Sequence, residues 1–92
     1  MEVNYILEYK DQALEDIQFF KKLGDVSIIK KINSLLDELE LHPETGTGKP
    51  ERLRSNLTGY ISRRINKEHR LLYRIDEINR IVTIISFKGH YN

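Results

Sequence analysis

The sequence contains no cysteine, and its three histidines lie far apart along the chain. The first absence excludes a disulfide framework, a thiolate metal site and a cysteine nucleophile. The second leaves a zinc site poorly supplied with ligands. No apolar run approaches the roughly 18 residues that a membrane-spanning helix needs, and no N-terminal stretch has the charged-then-apolar order of a secretory signal. We therefore expect a cytoplasmic protein without membrane association and without a metal or other cofactor.

What remains is a chain of 92 residues, of which 39% are hydrophobic and 32% are charged. This composition is typical of a globular domain, and it fits neither a disordered nor a membrane protein. The length corresponds to one domain, which we expect to span residues 1–92. A chain this short buries only about 60–65% of its unfolded surface, so a partner could add to its stability.

The charged residues are unevenly distributed, although they nearly cancel over the whole chain at +1. Residues 1–45 carry five lysines and ten acidic residues, a net of −5. Residues 46–92 carry three lysines, seven arginines and four acidic residues, a net of +6. Arginine suits bidentate contact with phosphate, so the basic half is compatible with a nucleic-acid ligand. On the charge count alone, a solvated basic face balanced by an acidic helical half is the simpler interpretation.

The first half of the chain predicts one strand followed by a helical hairpin. Residues 3–9 alternate apolar side chains at period two, as a strand with one buried face does. Asp11 could cap a helix that Gly24 ends, and Asp25 could cap a second helix that stops before Pro43. Both helices carry apolar side chains at i, i+3 and i+4 spacing. They should therefore pack through one apolar seam.

The second half predicts a loop and three strands. Residues 43–51 hold both prolines and two of the five glycines, which is a strong loop signal. Apolar runs follow at 60–65, 69–75 and 80–88, and the short polar breaks between them favour an antiparallel meander. The order β-α-α-β-β-β predicts an α+β fold. Its small antiparallel sheet would have about four strands, with two helices packed on one face.

Strand alternation also predicts where the arginines lie. If the apolar residues of the run 60–65 face the helices, Arg64 faces away from them. Arg70, Leu72 and Arg74 of the next strand would face the same open side. A short turn would place Arg64 beside Arg70, where like charges repel each other unless an anion lies between them. The pattern therefore predicts a basic sheet face.

The loop and the end of the chain add further polar residues to this prediction. Lys49 and Glu51 would enter the basic face from the edge of the sheet. The chain end carries Lys88, His90 and Tyr91, which in isolation are typical of a solvated tail. The sequence pattern assigns no role to the other two histidines, His42 and His69.

Two segments of the second half resemble the signature of a known family. They are the loop Gly46-Thr47-Gly48-Lys49-Pro50-Glu51 and the block Ser62-Arg63-Arg64-Ile65 followed by Glu68-His69-Arg70-Leu71. With the terminal His90-Tyr91 pair, they resemble the YoeB/Txe toxins of the RelE-like superfamily of bacterial toxin–antitoxin systems. The resemblance implies the RelE-like fold, a small antiparallel sheet with two helices on one side. This agrees with the fold predicted from the pattern.

The resemblance also implies a function. It implies the toxin of a type II toxin–antitoxin system, an endoribonuclease that cleaves mRNA in the ribosomal A site and thereby inhibits translation. The implied partners are the ribosome, mRNA and a YefM/Axe-like antitoxin, in a homodimer or a toxin–antitoxin hetero-oligomer. The positions that match the family's catalytic residues are Glu51, Arg70, His90 and Tyr91. The candidate RNA- or phosphate-binding positions are Lys49, Arg54, Arg64, Arg74 and Lys88.

These residue types suit RNA cleavage without a metal ion. Attack of the 2′-hydroxyl on the adjacent phosphorus needs a base, an acid for the departing 5′-oxygen, and cations for the phosphorane charge. Glu51 can be the base and His90 the acid, although the two roles could be exchanged. Arg70 and Arg64 can hold the phosphate oxygens. Tyr91 can stack on a base, orient the phosphate or share the acid role. We expect cleavage that survives EDTA and leaves a 2′,3′-cyclic phosphate.

Two alternative functions are compatible with parts of the sequence. A superfamily toxin that binds a protein target such as gyrase would have the same fold but would not need the four matched catalytic residues together. A non-catalytic RNA-binding module would explain the arginines. It would not explain an acid among them, because a carboxylate repels phosphate.

Overall fold

The computed structural model describes residues 4–89, and in this part of the chain two helices and five strands form an α+β fold. The elements are β1 Ile6–Tyr9, α1 Asp11–Leu23, α2 Val26–Leu41, β2 Glu51–Arg52, β3 Ile61–Arg64, β4 Arg70–Asp76 and β5 Ile81–Ser86. A 3₁₀ turn at Ser55–Leu57 lies between β2 and β3. The predicted α+β class is confirmed, and the predicted order β-α-α-β-β-β is found with one additional strand, β2, after the helices.

The sheet differs from the prediction in strand number and in the direction of one pair. Its order is β1-β5-β4-β3-β2, so there are five strands in the described residues where about four were expected. β1 pairs with β5 in parallel, and the other neighbours are antiparallel. The wholly antiparallel sheet was therefore wrong. Since β3, β4 and β5 alternate in direction, β1 runs the same way as β3 and β5.

The helix ends follow local signals, with one shift at the start of α1. Lys10 donates its backbone N–H to the carbonyl of Ile84 at 2.9 Å. This bond keeps Lys10 extended, so α1 begins at Asp11, which lies in the first turn and is not the N-cap. Gly24 ends α1 in the left-handed region at φ 69°, and the Asp25 carboxylate accepts the Ile28 N–H at 3.1 Å. Both of those predictions are confirmed.

Both helices pack on one face of the sheet, and the core lies between them. α1 contributes Ala13 and Phe20, and α2 buries an i, i+4, i+7, i+11 row made of Ile28, Ile32, Leu35 and Leu39. The sheet supplies Ile61, Ile65, Leu71, Tyr73, Val82 and Ile84, with Phe87 beyond the end of β5. The buried sides predicted for β3 and β4 are confirmed. Within the described residues, neither helix is long and apolar enough to cross a membrane.

Candidate active site

The register of three strands brings an acid and two arginines to one end of the sheet. Glu51 of β2 lies opposite Ser62 of β3, and Arg64, two residues further along β3, lies opposite Arg70 of β4. Directly opposed residues point to the same face of a sheet, as do residues two apart on one strand. Glu51, Ser62, Arg64 and Arg70 therefore share one face. The predicted juxtaposition of Arg64 and Arg70 is confirmed.

These side chains line a cleft of about 200 Å³. Its lining residues are Gly48, Lys49, Pro50, Glu51, Ser62, Arg64 and Arg70. Three cations and one carboxylate give the lining a formal charge of +2, from +3 and −1. A cleft with this charge, lined by two arginines at directly opposed positions of β3 and β4, is suited to bind an oxyanion such as phosphate. The carboxylate among them is available as a proton acceptor.

The arginine-bearing face is less open than the strand pattern predicted. Leu72 was expected to be exposed beside Arg70, but only 4% of its surface is accessible, and Ser62 is 2% exposed. Leu53, which follows β2, is buried as well. Apart from Arg74, which is exposed further along β4, the accessible part of the face is therefore the cleft at the end where β3 turns into β4.

The loop that carries Lys49 and Glu51 lies directly on β3. The Gly48 carbonyl accepts the Arg64 N–H at 2.7 Å. Gly48 has a φ of 86°, and a Cβ at this position would stand 2.7 Å from the Arg64 carbonyl oxygen. Only glycine combines this backbone conformation with so close an approach. Gly48 thus lets the loop lie close to β3, so that Lys49 lines the cleft.

A buried arginine that the sequence analysis did not single out holds the same loop from below. Arg63 is 0% exposed, on the opposite face of β3 from Arg64. Its Nη2 donates to the carbonyls of His42 and Thr45 at 2.5 and 2.6 Å. Its Nη1 donates to the Thr47 carbonyl at 3.3 Å. One guanidinium therefore fixes three carbonyls of the segment that leads to the cleft.

Arg63 also contacts two acidic or phenolic side chains, and their pKa values change accordingly. Its Nε donates to the Tyr73 hydroxyl at 3.0 Å, and that hydroxyl donates to the Pro43 carbonyl at 2.6 Å. Burial raises the pKa of Tyr73 in spite of the adjacent guanidinium. Burial opposes ionisation of Glu38 too, but hydrogen bonds from Thr47 and the charge of Arg63 outweigh it, so the pKa of Glu38 is lowered. At neutral pH the Glu38 carboxylate is therefore ionised and the Tyr73 hydroxyl is neutral.

Arg70 is oriented by the turn that joins β3 to β4. Its Nη1 donates to the Asn66 carbonyl at 3.0 Å and to the His69 carbonyl at 3.3 Å. Its backbone N–H donates to the Gly89 carbonyl at 2.9 Å. The Gly89 N–H in turn donates to Nδ1 of His69 at 3.1 Å. The last described residue of the chain is thereby fastened beside Arg70.

The other predicted site residues are placed outside the cleft or outside the described part of the chain. Arg54 is exposed just before the 3₁₀ turn, and Arg74 is exposed on β4 opposite Thr83. The Lys88 ammonium stands 3.8 Å from the centre of the Phe19 ring of α1. The predictions for His90 and Tyr91 lie outside the described residues. Among residues 4–89, no three carboxylate or imidazole side chains are grouped so that they could hold a metal ion.

The fold and the cleft together define a small α+β protein with a basic, carboxylate-bearing cleft at one end of a mixed sheet. The protein-family model of the YoeB-like toxin of bacterial type II toxin–antitoxin systems matches residues 9–91. The chain belongs to this family. The Toxin YoeB of Synechocystis is 41% identical over 85 residues, which are 92% of this chain and 95% of the relative.

Two solved structures from Staphylococcus aureus are similar in fold as well as in sequence. One is a YoeB dimer, with a TM-score of 0.82, 45% identity and coverage of 95% of this chain and 98% of that chain. The other is a heterotetrameric complex of the YoeB toxin with the YefM antitoxin, with a TM-score of 0.81, 45% identity and the same coverage. These relatives confirm the family that the sequence motifs indicated.

Proposed function

We propose that this toxin is a ribosome-dependent mRNA endoribonuclease that inhibits translation. The observation that carries the proposal is the register that sets Glu51, Arg64 and Arg70 in one cleft. A protein-binding toxin or a passive RNA-binding module has no use for a carboxylate in the same cleft as two arginines. An RNA-cleaving enzyme does, because it must both bind the phosphate and move a proton beside it.

In the proposed reaction, the 2′-hydroxyl of the mRNA attacks the adjacent phosphorus and the 5′-oxygen departs. Glu51 accepts the proton of the 2′-hydroxyl. Arg70 holds the non-bridging oxygens, and Arg64 adds a second guanidinium as charge develops on the phosphorane. These side chains supply a base and two cations, so no step calls for a metal ion.

The acid and the orienting group of the reaction are assigned to His90 and Tyr91. The imidazolium of His90 donates a proton to the 5′-oxygen, and Tyr91 stacks on a base or orients the phosphate. These roles are implied by the resemblance. The hydrogen bond from the Arg70 N–H to the Gly89 carbonyl supports them, because it holds the last described residue beside Arg70.

The remaining basic residues extend the phosphate-binding surface. Lys49 lines the cleft itself, whereas Arg54 and Arg74 are exposed outside it. Lys88 lies against α1, so it would meet RNA only at the margin. This surface would bind the phosphates of the ribosome-bound mRNA. Because several cations would contact phosphates, we expect the binding to weaken strongly as the salt concentration rises.

The proposed partners are the ribosome, mRNA and an antitoxin of the YefM type. The dimer and the toxin–antitoxin heterotetramer of the Staphylococcus aureus relatives support self-association and antitoxin binding for this chain as well. An antitoxin segment with acidic side chains would compete with mRNA for the cleft, because both carry negative charge. Toxicity would then depend on the free fraction of the toxin.

The decisive experiment is cleavage of mRNA on programmed ribosomes by the purified protein. We expect the wild type to cut the mRNA and to leave a 2′,3′-cyclic phosphate, and a 2′-O-methyl group at the scissile nucleotide to block the cut. Glu51→Gln should lower the rate by about 10²–10⁴-fold. Glu15→Gln, an exposed change on α1, is the matched control and should cut normally. Wild type that binds the mRNA and leaves it intact would refute the proposal and favour the passive RNA-binding module.

A further inference from the structure

We propose that His69 is a positioning residue for cleavage, because its imidazole fixes Gly89, the residue before His90, beside Arg70. The inference rests on the proposed function only for its effect on the reaction. The structural part concerns one peptide unit, that of Gly89. Its N–H donates to Nδ1 of His69 at 3.1 Å, and its carbonyl accepts the Arg70 N–H at 2.9 Å.

The direction of the first bond fixes the state of the imidazole. A backbone N–H can only donate, so Nδ1 of His69 must be unprotonated and accept. The proton of the neutral ring is therefore on Nε2, which lies 3.8 Å from a carboxylate oxygen of Glu68. A doubly protonated ring would have no acceptor to offer Gly89. The contact thus depends on one nitrogen in one tautomer.

The ring is itself held by its surroundings, so it can act as a fixed support. It packs against the Phe20 ring of α1 in a T-shaped arrangement, with centroids 5.1 Å apart and planes at 67°. The Asn66 side chain accepts the backbone N–H groups of Glu68 and His69 at 2.9 and 2.8 Å. The side chain of His69 is only 16% exposed. Neither the turn nor the ring has much freedom to move.

The same turn orients the guanidinium of Arg70 and holds Gly89, which follows β5. The carbonyl of His69 accepts from Nη1 of Arg70, and its ring accepts from Gly89. One residue therefore sets the spacing between the phosphate-binding arginine and the segment that leads to His90. In catalysis a displacement of about 1 Å can cost about 10²-fold in rate. This is why a side chain that never touches RNA would govern the rate of cleavage.

A second anchor limits how far the segment can move when His69 is changed. The buried carboxylate of Asp16 accepts the Phe87 N–H at 2.9 Å, and the Phe87 ring is 0% exposed. Loss of the imidazole should therefore release Gly89 without unfolding β5. The expected defect lies in the geometry of the reaction and not in the stability of the domain.

The test compares two variants with opposite losses. His69→Phe keeps a ring against Phe20 and removes the acceptor, whereas His69→Asn removes the ring and keeps an acceptor at the δ position. We expect His69→Phe to accelerate hydrogen exchange of the Gly89 amide about five- to tenfold, the equivalent of one neutral hydrogen bond. It should lower kcat at least about tenfold with less than a threefold change in KM. The kcat of His69→Asn should lie within about threefold of wild type, because the acceptor is kept. The control variant His42→Asn should stay within the same range.

A measurement on the unaltered protein needs no variant to fold. ¹⁵N chemical shifts of the His69 ring should show Nδ1 unprotonated and Nε2 protonated. A protonated Nδ1 in the neutral ring would overturn the proposal. A hydrogen-exchange rate of the Gly89 amide that is the same in His69→Phe and in the wild type would also overturn it. Equal loss of kcat in both variants would also overturn it. If the wild type fails to cleave mRNA, the proposed function is refuted. The exchange rate of the Gly89 amide and the ¹⁵N shifts of the ring still decide whether the hydrogen bond between His69 and Gly89 exists.

Discussion

Replacing Arg63 with lysine should destabilise the protein, although the charge is conserved and the residue lies outside the cleft. The guanidinium donates from three nitrogens to five acceptors. These are the Tyr73 hydroxyl, the Glu38 carboxylate and the carbonyls of His42, Thr45 and Thr47. A lysine ammonium has three donors at a single point. At least two of the five acceptors would lose their donor.

The size of the effect follows from how well water can replace those bonds. A buried acceptor without a donor costs about 1–3 kcal/mol. Thr45 and Thr47 are exposed residues, so their carbonyls would recover part of that loss by hydration. We therefore expect a loss of about 2 kcal/mol in the free energy of unfolding. For a domain of this size, that lowers the Tm by about 8–16 °C.

The neighbouring residue provides a matched control. Arg64→Lys makes the same chemical change one position along the strand, on an exposed side chain, and should stay within about 0.5 kcal/mol of wild type. Thermal unfolding followed by circular dichroism measures both variants under the same conditions. A Tm for Arg63→Lys within about 3 °C of wild type would refute the reasoning, because the five hydrogen bonds would then contribute no more than a solvated side chain.

Two further predictions concern the same loop. Because the pKa of Glu38 is lowered in the folded protein, its contribution to stability is complete above its ordinary value of 4.5 and is lost as the pH falls below it. Glu38→Gln should flatten that acid limb in urea titrations at several pH values, whereas Glu40→Gln, exposed on the same helix, should leave the limb as in wild type. Gly48→Ala places a Cβ 2.7 Å from the Arg64 carbonyl at a positive φ, whereas Gly59→Ala has a positive φ and open space. Gly48→Ala should therefore lose about 1–3 kcal/mol more than Gly59→Ala on chemical denaturation, and equal losses would contradict the close approach.

Local and alternating signals were enough to predict the helical hairpin and the pair of arginines. Gly24 and Asp25 act on backbone groups within four residues, so the sequence window contains everything that decides them. Arg64 and Arg70 are separated by a short turn, and period-two alternation assigns their face. Both predictions needed only neighbours in sequence.

The features that the sequence did not predict depend on distant partners. β2 has two residues, which is too short for any periodicity to show. The parallel pairing of β1 with β5 joins residues 75 positions apart, such as Ile6 with Ile81. The contact between His69 and Gly89 spans 20 positions and is made by a histidine that the pattern left without a role. Pattern rules assign faces, but they do not say which distant backbone group a side chain meets.

The burial of Arg63 was not predicted, although the alternation of β3 indicated it. It shares its parity on β3 with Ile61 and Ile65, both of which were predicted to face the helices. The alternation therefore placed Arg63 in the core, against the strong tendency of arginine to stay exposed. A buried arginine persists only where its donors are satisfied, and the partners of Arg63 come from α2, from the loop before β2 and from Tyr73 of β4. Such a conflict between parity and residue type is itself a prediction of a buried polar network.

Arg63 and Arg64 of β3 serve two different purposes, namely support of the loop and charge in the cleft, and the pleat of the strand separates them. Consecutive side chains point to opposite faces, so Arg63 reaches down to hold the loop that carries Glu51, and Arg64 reaches out into the cleft. A slip of one residue in the register of β3 would exchange them. It would place a cation without partners in the core and withdraw the loop's support at the same time. The register of β3 is thus the physical quantity on which both the position of the carboxylate and the charge of the cleft depend.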